Sequence, residues 1–339
     1  MSQPAVRVAV VGAGRMGYDH IERLTTSISG VEVTAIVEPD ETRAQAAANL
    51  TANAQLFPSV EAAITAKAMD AVLIATPGHI HEAALMPILE ARLPVLCEKP
   101  LTEDSESSRR IVEAEQKLDR PHIQVGFTRR FDPEYGKMRE LIVSKEAGEL
   151  LMLRCVHRNP SVPDTYRQDM LIADSVVHEF DATAWLAGAA VRNVEVRYGK
   201  RNSLAAERLH EPILAIFELT NDVLVDVEMN VSVQFGYQVT TEAVFEKGVA
   251  RFGDPSGLEV FQNQIASLPV HHGHSDRFNS AFNTELQTWV NAVASGKIVD
   301  GPNAWDGYQA ARACEAGVQA LNEGKRVDIP VEERPAFYA

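Results

Sequence analysis

The stretch Val6-Arg7-Val8-Ala9-Val10-Val11-Gly12-Ala13-Gly14-Arg15-Met16-Gly17 decides the fold. Its opening is a short, β-branched apolar run, the composition of a strand covered on both faces. The run ends in G-x-G-x-x-G, and the segment from Met16 to Ser27 reads as a helix. Each glycine has its own task there: Gly12 permits the tight turn, Gly14 lets backbone approach a pyrophosphate, and Gly17 allows close helix–strand packing. The backbone N–H groups from Gly12 through Arg15 and Met16 to Gly17, at a helix N-terminus, would hold the phosphates. A lone G-x-G-x-x-G is weak evidence; following a strand and opening a helix, it becomes a dinucleotide fingerprint.

Working outward, Val31–Val37 reads as a second strand and is followed by Glu38, 21 positions after Gly17. An acidic side chain there can accept both ribose hydroxyls and repel a 2′-phosphate, so the expected cofactor is NAD rather than NADP. The plainer reading is that Glu38 and Asp40 cap the next helix, and Arg43 is close enough to bear on the choice. Strands are expected at Ala71–Ala75, Val95–Cys97 and His122–Phe127, with helical stretches at Thr42–Leu50, near Glu61, and from Ser105 to Leu118. That rhythm argues for a parallel sheet with helices on both faces.

Beyond Phe127 the period changes. From Leu224 to Val233, Val225, Val227, Met229, Val231 and Val233 alternate with Asp226, Glu228, Asn230 and Ser232, the pattern of a half-covered strand. Similar strands are expected at Leu150–His157, Asn193–Arg197, Ile213–Leu219 and Thr240–Phe245, with Glu246-Lys247-Gly248 turning into Val249–Phe252. Phe282, Leu286, Trp289, Val290 and Val293 form a helical stripe closed by Gly296. The expected architecture is an N-terminal α/β domain with a parallel sheet, residues 1–125, and a C-terminal α/β domain with a large, mostly antiparallel sheet, residues 126–339. A length of 339 residues fits two domains.

With 32 basic and 47 acidic residues the net charge is −15, which argues against nucleic acid and against an anionic membrane surface as partners. Cys97, Cys155 and Cys314 are odd in number and widely spaced, fitting reduced thiols rather than a disulfide framework or a zinc site. No apolar run approaches the roughly 18 residues of a membrane span, and the apolar start is too short for a signal peptide. A cytoplasmic location is expected.

Several motifs then combine: Gly12-Ala13-Gly14-Arg15-Met16-Gly17-Tyr18-Asp19-His20, Ala75-Thr76-Pro77 with His81, and Cys97-Glu98-Lys99-Pro100. Gln124-Val125-Gly126-Phe127-Thr128-Arg129-Arg130-Phe131 and Asp174-Ser175-Val176-Val177-His178-Glu179 follow in order. Together they resemble the glucose–fructose oxidoreductase/inositol dehydrogenase family over essentially the whole chain. Within it, His157-Arg158-Asn159-Pro160 is most similar to the inositol 2-dehydrogenases. The resemblance implies a Rossmann domain, a second domain whose sheet commonly mediates tetramers, and NAD-dependent oxidation of a cyclic polyol or sugar. It also implies cofactor contacts at Ala75, Thr76, His81, Glu98 and Lys99. The neighbourhood of Arg277-Phe278 departs from inositol dehydrogenase relatives: His272-Gly273-His274 stands where many carry a Trp, and Phe282 where a Tyr is frequent.

Oxidising a secondary alcohol requires a hydride acceptor and a base for the hydroxyl proton, and histidine titrates in the right range. Asp174 and His178 are four apart and share one face if helical, so the carboxylate can orient the imidazole and stabilise its cation. Lys99 follows a parallel strand, at the sheet edge where ligands of such folds bind, and its ammonium can favour a developing alkoxide. The resemblance makes Lys99, Asp174 and His178 the catalytic trio. Taken singly, the Asp–His pair could be a solvated helix face and Lys99 a surface charge. Arg129, His157, Asn159 and Tyr237 are candidates for the polyol-binding wall, although Arg129 could equally be structural and Tyr237 a core aromatic. His271, His272 and His274 read as an exposed loop near the substrate entrance, and no metal is expected. Two rivals keep the fold: transient oxidation that cleaves a glycoside, and a dinucleotide-sensing regulator without turnover.

Overall fold

The computed structural model describes residues 4–254, 259–298 and 300–339. Its contacts divide the chain into two compact units. The first comprises Met1–Thr128, Phe282–Ala311 and Glu333–Ala339; the second comprises Arg129–Ala281 and Arg312–Glu332. Both are discontinuous in sequence, which a single cut near residue 125 does not express.

The first unit opens with β1 (Val6–Val11), α1 (Arg15–Thr26), β2 (Val31–Val37), α2 (Glu41–Ala48), β3 (Gln55–Phe57) and α3 (Val60–Thr65). It continues with β4 (Ala71–Ile74), α4 (Gly78–Glu90), β5 (Val95–Cys97), α5 (Ser105–Glu115) and β6 (Ile123–Val125). The strands pair in parallel in the order β3-β2-β1-β4-β5-β6. The order reverses between β1 and β4, and ligands of doubly wound sheets bind at that reversal. The glycine turn leaves β1 at this point. β4 is shorter than the expected Ala71–Ala75: Ala75 N–H still bonds the Val11 carbonyl, but Pro77 pulls the chain out of the sheet. β6 is shorter than the expected His122–Phe127 because Phe127 N–H turns back to the Val125 carbonyl.

The second unit contains α6 (Pro133–Ser144), β7 (Leu150–Arg158), a π-helical turn (Leu171–Val176), α7 (Val177–Ala187), β8 (Val191–Tyr198) and β9 (Ile213–Leu219). β10 (Leu224–Asn230), β11 (Gln238–Phe245), β12 (Gly248–Phe252), the small hairpin β13 (Val260–Gln262) and β14 (Ile265–Ser267), and α8 (His274–Arg277) follow. Its sheet runs β12-β11-β7-β10-β9-β8-β15, with β15 at Val327–Asp328. Every neighbour is antiparallel except β7 and β10, which are parallel. The alternation holds: Val225, Val227 and Met229 are buried, while Asp226, Glu228 and Asn230 are half-exposed. β10 stops before Val233 because Val231 N–H goes to the Glu211 carboxylate and Val233 N–H to the Asn159 carbonyl.

The apolar stripe near the C-terminus lies on α9 (Asn279–Ser295), and α10 follows at Ala304–Glu323. Leu286, Trp289 and Val290 join the first unit's core beside Val8, Val10, Ile21 and Leu24. Gly296, at φ +65°, follows α9 in the left-handed conformation that glycine accepts without strain.

Candidate active site

At the end of β1 the three glycines differ physically. Gly12 has φ +90°, a conformation costly for other residues. A Cβ on Gly17 would lie 1.9 Å from the Gly12 carbonyl oxygen, so only glycine lets α1 approach the turn. A Cβ on Gly14 would meet nothing within 4 Å. Gly14 is also the N-cap of α1, no side chain bonds to that cap, and the first turn carries no acid. Open space before uncapped N–H groups is the setting that a pyrophosphate fits. Arg15 is exposed and Met16 half-buried at this helix end.

Glu38 is turned toward that loop rather than into α2. One carboxylate oxygen accepts from Ala13 N–H at 2.8 Å; the other accepts from Asp40 N–H at 3.0 Å and Arg43 Nη2 at 2.8 Å. Asp40 alone caps α2, accepting from Arg43 N–H at 2.9 Å. Burial pushes the Glu38 carboxyl up, but the bonds from Arg43, Ala13 and Asp40 hold it below the usual range, so it is a carboxylate.

Beyond β4, Ala75 and Thr76 are half-buried, and the Thr76 hydroxyl has no hydrogen-bond partner among the described residues. A polar atom so placed fits a site completed by a ligand. His81 is buried on α4 and ties two loops together. Its Nε2 lies 2.7 Å from the Thr76 carbonyl and its Nδ1 2.8 Å from the Pro100 carbonyl, and burial pushes its imidazole below the usual range. Glu98 is also buried; it meets His20 Nε2 at 2.7 Å and accepts from Lys99 N–H at 3.2 Å. Lys99 is half-buried just past β5.

In the second unit Asp174 lies in the π-helical turn and His178 is the second residue of α7. The expected continuous α-helix is therefore a junction: the wider turn carries an extra residue, a device that recurs at functional sites. Both side chains are half-buried, while Ser175, Val176, Val177 and Glu179 are buried. The His178 ring packs 6.3 Å from that of His157, and His157 packs 5.9 Å from Tyr237. Arg129 is buried; it pairs with Glu179 and lies 3.1 Å from His157 Nδ1. Burial disfavours both charges of that pair, yet Glu179 holds the guanidinium above its usual range and Arg129 holds the carboxyl below its own. Tyr237 is buried against Phe278 as well as His157. Asn159 is half-buried at the end of β7, its N–H on the Asn230 carbonyl at 2.8 Å.

Thus the structure gathers the glycines and Glu38 at one sheet edge, links Thr76, His81, Glu98 and Lys99 through adjoining loops, and clusters His178, His157, Tyr237 and Arg129 in the other unit. His20 and Glu179 escaped assignment from sequence. Both lie inside the quoted motifs, beside Asp19 and His178, and that adjacency was the available signal. The histidine segment is partly ordered as α8: Tyr237 N–H bonds the His271 carbonyl at 2.7 Å, and His271 meets Asp276. Among the described residues no group of three His, Cys, Asp or Glu side chains could hold a metal ion. No helix among them is long and apolar enough to cross a membrane.

Residues 6–127 match an oxidoreductase family described by its NAD-binding Rossmann fold, and residues 135–251 match the GFO/IDH/MocA C-terminal domain. The chain is 60% identical over 335 residues to an inositol 2-dehydrogenase of Corynebacterium glutamicum, covering 99% of each chain. It is 59% identical to an inositol 2-dehydrogenase of Leifsonia xyli subsp. xyli, again covering 99% of each. Its fold matches the crystal structure of myo-inositol dehydrogenase from Lactobacillus casei in complex with NAD(H) and myo-inositol, with TM-score 0.96 and 32% identity over 99% of this chain and 100% of that one. With both domain patterns matched in order and these relatives similar from end to end, the chain belongs to the GFO/IDH/MocA family of NAD-binding oxidoreductases.

Proposed function

We propose that this enzyme oxidises a secondary hydroxyl of a cyclic polyol, myo-inositol or a related inositol, with NAD as cofactor. The observation that carries the proposal is end-to-end similarity to relatives named for that activity, and the chemistry of the site agrees with it. Bound NAD supplies the hydride acceptor. Gly14, Arg15, Met16 and Gly17 hold its pyrophosphate on backbone N–H groups, Gly12 makes the turn beneath it with its own N–H on the Val37 carbonyl, and the Glu38 carboxylate faces the adenosine ribose. Ala75, Thr76, His81, Glu98 and Lys99 shape the rest of the cofactor site.

His178 takes the hydroxyl proton as general base. Asp174 orients the ring and stabilises the imidazolium, and the Lys99 ammonium donates to the reacting oxygen as negative charge develops on it. Arg129, His157, Asn159 and Tyr237 form the polyol wall. The enzyme works in the cytoplasm as a homotetramer. Exposed Leu214 and Leu224, on the sheet face that also carries Asp226 and Glu228, support that assembly.

The test is NADH formation across inositol isomers, aldoses and glycosides, on a preparation whose mass by light scattering is that of four chains. Net NADH with an inositol, lost by at least about a thousandfold in His178→Ala while NAD still binds, is the expected result. Near-wild-type turnover of that variant would refute the base. Sugar release without net NADH would indicate transient oxidation, and NAD binding without any turnover a regulator.

A further inference from the structure

The second unit holds a buried ionic group that the proposed reaction leaves without a task. Glu179 directly follows His178 on α7 and is 1% exposed. Its carboxylate pairs with Arg129 Nη1 and also lies 3.2 Å from His157 Nδ1. Arg129 Nη2 approaches that same Nδ1 at 3.1 Å. The other titratable groups facing this cluster among the described residues are His178 and Tyr237, against the His157 ring, Tyr135, whose hydroxyl lies 3.4 Å from Arg129 Nη1, and the buried Cys155 thiol on β7.

A guanidinium only donates and a carboxylate only accepts, so Nδ1, standing between them, serves one of the two. If Nδ1 carried the proton, it would face the Arg129 N–H, whose direction is fixed by the planar guanidinium. If Nδ1 carries the lone pair, it accepts that N–H, and the Glu179 carboxylate keeps Arg129 as its partner. Both arrangements keep the Arg129–Glu179 pair; the second also gives Arg129 Nη2–H an acceptor at the shortest of the Nδ1 distances, 3.1 Å against 3.2 Å and 3.3 Å to the Glu179 oxygens, where the first sets N–H against N–H. The second leaves the imidazole proton on Nε2.

We propose that Glu179 is a positioning residue: by anchoring Arg129 it holds His157 as the Nε2–H tautomer, so that His157 meets the polyol as a hydrogen-bond donor. This rests on the proposed function, in which His157 lines the polyol wall. A donor of fixed sense selects a hydroxyl oxygen presented as acceptor, and so contributes to discrimination among inositol isomers.

Two measurements test it. In the wild-type enzyme with ¹⁵N-labelled histidine, the His157 signals, assigned by their loss in His157→Gln, are expected to show the proton on Nε2. A proton on Nδ1 overturns the proposal whether or not any inositol is a substrate. In Glu179→Gln, KM for myo-inositol is expected to rise about tenfold while KM for NAD and kcat change less than about threefold. Partial recovery of the polyol KM is expected in Glu179→Asp, which restores the counter-charge. An unchanged polyol KM in folded Glu179→Gln overturns the proposal. If that variant does not fold, the wild-type tautomer decides. Absence of turnover with every inositol would instead refute the substrate reading, and the tautomer would still be read.

Discussion

Glu98 and Glu179 are two buried carboxylates, each beside a residue assigned to the chemistry, and each is held by a partner far away in sequence. The partner of Glu98 is His20, 78 positions earlier, and that of Glu179 is Arg129, 50 positions earlier. Burial pushes the Glu98 carboxyl up, but the hydrogen bond and charge of His20 and the proximity of Lys99 bring it below its ordinary value of 4.5. A depressed folded value means that the stabilisation is present above pH 4.5 and is lost as pH falls through the folded value, since the unfolded chain takes up the proton first. Thermal unfolding of Glu98→Gln should therefore lose less stability between about pH 5 and pH 3 than wild type does. Equal losses in the two proteins would show that folding does not depress the Glu98 carboxyl. Lys99, Asp174 and His178 were proposed from side-chain type and spacing together with the resemblance of the motifs that contain them. The partners were not legible, because a buried pair 50 or 78 residues apart leaves no period in the sequence.

At the scale of elements, the turn from β1 into α1 was legible because each glycine answers to a different steric demand. Those demands separate in experiment. Gly17→Ala places a methyl 1.9 Å from the Gly12 carbonyl and should cost about 3 kcal/mol, lowering Tm by about 6–12 °C. Gly14→Ala meets no atom of the chain, so Tm should fall by less than about 3 °C while the calorimetric Kd for NAD rises at least about tenfold, because the methyl occupies the pyrophosphate's place. Unaltered NAD affinity in Gly14→Ala would remove the cofactor from this turn. Strands with a clear apolar run or alternation, such as β1, β2, β5 and β9, were legible to the residue. The π-helical turn at Asp174 was not: a spacing of four is compatible with more than one helix, and the choice is made by how Leu171, Ile172, Ser175 and Val176 become buried.

On the scale of the whole molecule, two α/β bodies were legible from the change of period after Phe127, but the return of α9 to the first unit was not. Its apolar stripe says that one face is covered, and nothing in a stripe names the surface that covers it; Leu286, Trp289 and Val290 find theirs in the core behind β1. The acidic balance of −15 is likewise compatible with the proposed phosphate-binding turn, because local N–H groups rather than net charge would hold the dinucleotide there. The central claim, NAD-dependent oxidation of an inositol carbon, is tested most directly by an inositol carrying deuterium on the carbon to be oxidised. Mass spectrometry of the reduced cofactor should find one deuterium per NADH formed. Reduced cofactor without deuterium, or conversion of the inositol with no reduced cofactor at all, would contradict it.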